Sequence, residues 1–238
     1  MRKLLRHLAG RANELLHPIG IQIVRVKKPA EIDPALLSFA KGLSTAEHNS
    51  LENMDEFYSS PNLLTHYFTA DRLDFYQRVC RRIGSLSIRP RSVLDVGCGS
   101  GHLLAQVREL WPEAHLKGVD FSGKSIDLAR RLHPNMAFEQ CSIFELDRLK
   151  DSYDVVLCTE VLEHLERADQ ALEQLYSACL PGGHVLITVP EGRKDTFPGH
   201  FNFWTPESFS REFRRFDPIV DVIQDYLFIV IRRPSAAT

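Results

Sequence analysis

The chain has 238 residues, 44% hydrophobic and 25% charged, with a formal net charge of −2. That length fits one substantial α/β domain with an appendage, and the composition belongs to a folded chain able to bury a core. The near-neutral balance gives no global attraction to nucleic acid, and the longest apolar runs fall far short of the roughly 20 residues that span a bilayer.

Residues 1–28 carry Leu4, Leu5, Leu8, Ala12, Leu15 and Leu16 at helical spacing, with Arg2, Lys3, Arg6 and Arg11 between them and Arg25, Lys27 and Lys28 beyond. A basic amphipathic helix of this kind either packs its leucine stripe on a domain or lies on an anionic membrane surface, and both readings are open. A secretory signal is not expected, since Arg6, His7 and Arg11 interrupt its apolar core. Residues 29–50, with Pro29, Pro34 and Gly42, read as a linker or a loosely ordered arm, so residues 1–50 form a first region.

From 51 to 90 the pattern is helical, with Leu63, Leu64, Tyr67 and Phe68, then Leu73, Phe75, Tyr76, Val79 and Ile83. Then short β-branched runs alternate with helical stretches. Strands are expected at 92–96, 115–120, 136–141, 153–159 and 183–189, with helices to about 110, at 124–132 and at 168–179. That order implies a parallel sheet covered on both faces. A helix at 206–213 follows, and the runs 219–223 and 226–231 are spaced to pair as an antiparallel hairpin. Cys80, Cys98, Cys141, Cys158 and Cys179 show no metal-like spacing and fit reduced, buried thiols of a cytoplasmic protein.

The most informative segment is Val93-Leu94-Asp95-Val96-Gly97-Cys98-Gly99-Ser100-Gly101. It runs strand, glycine loop, helix, the context in which backbone approaches a ligand and a helix N-terminus offers free N–H groups. A dinucleotide fingerprint would place its third glycine where His102 stands. Asp95 points elsewhere too: a pyrophosphate gains nothing from a carboxylate here, whereas a cationic sulfonium cofactor welcomes one. Roughly twenty residues on, Asp120 ends the second strand, where an acid accepts hydrogen bonds from ribose hydroxyls, and Phe121 beside it offers an apolar surface for adenine.

These features, with Tyr153-Asp154-Val155-Val156 opening the fourth strand and Leu180-Pro181-Gly182-Gly183 before the fifth, resemble the class I S-adenosylmethionine-dependent methyltransferases over roughly residues 92–190. The resemblance implies an α/β, Rossmann-like methyltransferase fold: a seven-stranded, mainly parallel sheet with an antiparallel C-terminal hairpin, plus a helical N-terminal appendage. It implies a cofactor domain at 91–238, with 51–90 as a cap over the acceptor. It also implies that Gly97, Cys98, Gly99, Ser100 and Gly101 cradle the methionine moiety, Asp120 the ribose, and Ser142 and Ile143 the adenine edge. The family usually has Asp or Asn where Ser142 stands. Thr159, closing the fourth strand, borders the same site.

After that strand come Glu160-Val161-Leu162-Glu163-His164. A helical turn would put Glu160, Glu163 and His164 on one face, at the sheet end where α/β folds bind ligands, and His200 follows the fifth strand. The segment resembles ubiquinone-pathway O-methyltransferases and small-RNA 3′-terminal 2′-O-methyltransferases, in which the matching positions, here Glu160, Glu163, His164 and His200, are associated with Mg²⁺. Without a metal, His164 or His200 serves as general base. Residues 191–203 read as a loop closing over the acceptor, with Phe197, Phe201, Phe203 and Trp204 forming either an apolar acceptor wall or a satellite core.

The expected activity is O-methylation of a hydroxyl on a small molecule, lipid or glycan intermediate, by a cytoplasmic enzyme open to peripheral membrane contact through residues 1–28. RNA 2′-O-methylation is the alternative within the class. It is disfavoured by the net charge and by the lack of a recognisable RNA-binding module, and no Asn/Asp-Pro-Pro-aromatic segment follows the fourth strand. A non-catalytic, cofactor-binding partner subunit is the reading from outside the class.

Overall fold

The computed structural model describes residues 43–60 and 69–235. The basic helix expected in residues 1–28 and the residues Leu63, Leu64, Tyr67 and Phe68 lie outside them. The described residues belong to one unit, Ala35–Thr238.

Among the described residues, three helices precede the sheet: α1 (Thr45–His48), α2 (Leu51–Ser59) and α3 (Ala70–Gly84). The first is a correction, because Thr45–His48 falls inside the stretch read as linker. Ser44 and Glu47 form a reciprocal capping box there, a local signal strong enough to start a helix amid polar residues. Then β1 (Ser92–Val96), α4 (His102–Leu110), β2 (His115–Asp120), α5 (Gly123–Leu132), β3 (Ala137–Gln140), β4 (Tyr153–Thr159), α6 (Ala168–Ala178) and β5 (Cys179–Pro190) alternate. The chain closes with α7 (Pro206–Glu212), β6 (Ile219–Ile223) and β7 (Tyr226–Arg232).

The seven strands lie in the order β3-β2-β1-β4-β5-β7-β6. Pairing is parallel from β3 through β5, while β7 runs antiparallel to both β5 and β6. The order reverses between β1 and β4, which is where open α/β sheets bind ligands, beyond the strands' carboxyl ends.

Period-two alternation sends neighbouring side chains to opposite faces. Val93, Val155, Leu157 and Leu186 pack with Phe75, Val79 and Ile83 of α3 and Leu104 and Val107 of α4. Leu94, Val96, Val156 and Ile187 pack with Leu172 and Leu175 of α6 and Phe209 of α7. The Tyr153-Asp154 opening has a structural use. Asp154 Oδ2 accepts from the Arg91 N–H at 2.8 Å and the Ser92 N–H at 2.9 Å, fastening the start of β1 to β4. The Leu180-Pro181-Gly182-Gly183 run lies within β5, where the pairing register with β4 shifts and Gly182 adopts φ +84°. All five cysteines are buried and unpaired. Among the described residues, no helix is long and apolar enough to cross a membrane.

Candidate active site

The glycine loop turns tightly because three of its residues sit at positive φ: Gly97 at +73°, Gly99 at +50° and Gly101 at +78°. Space enforces the same choice. A Cβ on Gly97 would lie 2.3 Å from Val161 Cγ2, and one on Gly99 would lie 2.7 Å from Tyr58 Oη. Gly97 and Cys98 donate their N–H groups to the Val119 carbonyl, which closes the loop onto β2. Gly101 caps α4, and the Ser100 hydroxyl pairs with His102 Nδ1 at 2.8 Å.

Two carboxylates flank this loop. Asp120 Oδ2 accepts from the Gly99 N–H at 3.0 Å and Oδ1 from the Ser122 N–H at 2.9 Å. Each oxygen keeps a lone pair for a hydroxyl donor. Asp95 is fully buried, and neither of its oxygens accepts a hydrogen bond from the protein. Burial, and then the charge of Asp120, push its carboxyl up to about 7. A buried acid without donors is costly alone and suited to a cation.

The lead-in helices complete the mouth. Asp55 of α2 accepts from Ser122 Oγ at 2.5 Å, seating α2 over the start of α5, and Tyr58 covers the glycine loop. Arg72, in the first turn of α3, lies 3.9 Å from Glu160 Oε2 and over the rings of Phe75 and Tyr76.

The Glu160-to-His164 segment corrects the expectation of one shared helical face. Only Leu162–His164 forms a turn, of the 3₁₀ type. Glu160 precedes it in the left-handed region, φ +56°, with its N–H bonded to the Thr188 carbonyl of β5. Sheet pairing therefore holds Glu160 out of the turn. Its carboxylate accepts from Thr188 Oγ1 at 3.1 Å and faces Arg72. Burial raises its carboxyl to about 7 even against the pull of Arg72 and Thr188.

Glu163, His164 and His200 do converge. One ligand atom from each lies within 4.8 Å of the others. Glu163 is buried and accepts no hydrogen bond at either oxygen, and burial and then the charge of Glu160 hold its carboxyl well above the usual range. The His164 and His200 rings stand 4.5 Å apart, edge to face. Burial, and then the charge of His200, push the His164 imidazole down to about 3, so it is neutral at physiological pH. A buried carboxylate with no donors beside a neutral imidazole is a donor set that fits a divalent cation. Two nitrogens out of three donors suit Mn²⁺ or Zn²⁺ better than Mg²⁺, which prefers oxygen.

The loop after β5 brings His200 in. Phe201 and Asn202 donate N–H groups to the Glu163 carbonyl, and Asn202 Nδ2 reaches the Leu165 carbonyl at 2.8 Å. Its aromatics divide between core and surface. Trp204 packs with Phe209 and Phe213 in the core, whereas Phe203 is 48% exposed and Phe197 lies 4.9 Å from the His200 ring. His48 of α1 is buried against Phe197, 5.0 Å between ring centres.

Residues 90–214, more than half the chain, match the family model described as "Methyltransferase domain". The chain belongs to the class I S-adenosylmethionine-dependent methyltransferase family. It is 33% identical over 106 residues to a malonyl-[acyl-carrier protein] O-methyltransferase of Halalkalibacterium halodurans, an alignment covering 42% of this chain and 39% of that protein. It is 31% identical over 133 residues to the mitochondrial ubiquinone biosynthesis O-methyltransferase of Schizosaccharomyces pombe, covering 53% and 47%. The chain thus spans less than half the length of these curated relatives. The N-methyltransferase NodS of Bradyrhizobium japonicum, solved with S-adenosyl-L-homocysteine, shares the fold at TM-score 0.63 and 17% identity, over 79% of this chain and 100% of that one.

The site fits the family's cofactor on its own evidence: a cradle that any Cβ would obstruct, an acid with lone pairs for ribose hydroxyls, and a buried acid lacking a cation. Of the residues expected to hold adenine, Phe121 is 37% exposed at the mouth and Ile143 is buried. The Ser142 hydroxyl accepts from the Phe144 N–H at 3.3 Å, capping the 3₁₀ helix Ile143–Leu149. Thr159 pairs with Thr188 at the end of β4, one residue before Glu160. Arg72, His48 and Asp195 were not singled out from sequence, because each is distant along the chain from the motif it joins and carries no local signature.

Proposed function

We propose that the protein is an S-adenosylmethionine-dependent O-methyltransferase acting on a hydroxyl of a small molecule, lipid or glycan intermediate, with a divalent cation held by Glu163, His164 and His200. The observation that carries this reading is the buried Glu163 carboxylate, which has no hydrogen-bond donor and lies within 4.8 Å of two imidazoles. The cofactor, when bound, supplies an already activated methyl group. The protein's part is then to align the acceptor and remove its proton. Asp95 would offer the cofactor's cationic end a buried counter-charge, Asp120 would receive its ribose hydroxyls, and Arg72, at the same mouth, would offer a guanidinium to its carboxylate. A cation held by Glu163, His164 and His200 would lower the pKa of an acceptor hydroxyl.

A hydroxyl is favoured over a carboxylate acceptor by the local charge. Glu160, Glu163 and Asp195 crowd the same wall, and a carboxylate added to these three would meet repulsion in a poorly solvated setting. The net charge of −2 likewise disfavours RNA.

The test is incubation of purified protein with methyl-labelled S-adenosylmethionine and fractionated cell extract, with and without EDTA. Label in a metabolite, lipid or glycan fraction, lost with EDTA and restored by Mn²⁺, is the expected result. Label that survives EDTA would remove the cation and leave His200 as the base. Label confined to RNA or protein would overturn the acceptor class.

A further inference from the structure

The Asp195 carboxylate is the group on this wall that neither the cofactor site nor the Glu163 trio uses. It meets His200 Nδ1 at 2.5 Å through Oδ2, and its Oδ1 accepts from the Phe197 N–H at 3.0 Å. Both side chains are sheltered, with 9% of His200 and 7% of Asp195 exposed. The support beneath is rigid. The Asp195 N–H donates to the Glu191 carbonyl, the Glu191 N–H donates to the Asp225 carbonyl, and Lys194 Nζ reaches Asp225 Oδ1 at 2.8 Å. The turn that carries Asp195 is therefore pinned to the β6–β7 hairpin.

We infer that Asp195 is a positioning residue that holds His200 as the tautomer protonated on Nδ1, leaving the Nε2 lone pair as the ring's donor to a cation or to an acceptor proton. The inference rests on the proposed role of His200 for its purpose, but not for its test. An ionised carboxylate only accepts hydrogen bonds, and the Phe197 N–H already donates to this one. The short contact to His200 therefore places the ring proton on Nδ1. A carboxylate behind an imidazole fixes both ring orientation and tautomer, and losing such a partner typically costs about 10–100-fold in metal affinity or activity.

The test reads the tautomer directly. Long-range ¹H–¹⁵N spectra of ¹⁵N-histidine-labelled full-length protein, with His200 assigned from the His200→Gln spectrum, should show His200 protonated on Nδ1. In Asp195→Asn the amide can donate to Nδ1, so the proton should move to Nε2. Mn²⁺ affinity should fall about 10–100-fold, while S-adenosylhomocysteine affinity, which reports an intact fold, stays unchanged. Asp195→Glu should restore part of the Mn²⁺ affinity. A wild-type His200 protonated on Nε2 would overturn the inference without any variant, as would an Asp195→Asn protein with unchanged tautomer and Mn²⁺ affinity. If the tautomer behaves as stated but wild-type protein binds no Mn²⁺, Asp195 keeps its positioning role and the cation is what fails.

Discussion

Asn49 Nδ2 donates to the Gly199 carbonyl at 2.7 Å, joining residues 150 positions apart and tying the lead-in segment to the loop that carries His200. Thr45 Oγ1 adds a second tie, to the Pro198 carbonyl at 3.1 Å, and the His48 ring fills the space a side chain at 199 would need. The wall that carries His200 is thus built jointly by the chain before the sheet and the chain after β5.

Gly199→Ala should damage this junction. Its Cβ would fall 2.2 Å from His48 Cδ2 and 2.6 Å from Phe197 Cε1, so rings on both sides must shift. Overpacking of this kind costs about 1–3 kcal/mol, or roughly 2–12 °C in melting temperature for a chain this size. Thermal unfolding would measure that loss. Turnover should fall further than stability, because His200 is the adjacent residue.

Asp95 should make cofactor binding depend on pH. Its folded-state pKa of about 7 lies above the ordinary value, so its contribution to ligand-free stability is greatest at low pH. That contribution declines as pH rises from about 4 to about 7. A cationic cofactor favours the ionised form. Affinity for S-adenosylmethionine should therefore climb between about pH 5.5 and about pH 8, with proton release on binding at the lower end. Calorimetry in two buffers of different ionisation enthalpy measures the released proton. Asp95→Asn should bind more weakly and lose this pH dependence; a slope surviving in the variant would assign it to another group.

Arg72→Met should weaken S-adenosylhomocysteine binding by about tenfold, near 1.4 kcal/mol. The effect is modest because the Arg72 side chain is 22% exposed, so its charge is partly screened. The same change removes the charge that holds the Glu160 carboxyl down, so Glu160 should titrate at still higher pH. Isothermal titration reads the first effect and carboxyl NMR the second.

Glu163→Gln separates cation binding from folding. Burial holds the carboxyl above its usual range and neither oxygen accepts a hydrogen bond, so an amide of the same shape loses no contact and should leave the melting temperature nearly unchanged. Wild-type protein should gain stability with Mn²⁺ in proportion to the logarithm of its concentration, and the variant should gain little. Melting curves across a Mn²⁺ series distinguish the two, and EDTA should return the wild type to its starting value.

Much of the cofactor side was legible because its signals are local. Asp95, Gly97, Gly99 and Gly101 lie within seven consecutive residues, and the backbone angles of that turn demand glycine wherever it stands. Asp120 follows from the same logic, since the acid at the end of β2 is placed by parallel pairing with β1. Glu160 was misread for an equally physical reason. Helical spacing grouped it with Glu163 and His164, but its N–H is taken by the Thr188 carbonyl, and β5 is not adjacent in the chain.

Sequence alone determined the strand–helix alternation, the glycine loop and its acids, and the terminal hairpin, because hydrophobic period and glycine φ are properties of neighbouring residues. Only the tertiary structure decided that Glu163, His164 and His200 meet, that Glu160 turns instead to Arg72 and Thr188, and that His48 and Asp195 stand behind the site. Those groups come from separate elements and loops, and burial at the carboxyl ends of β4 and β5 is what shifts the protonation of Glu160, Glu163 and His164.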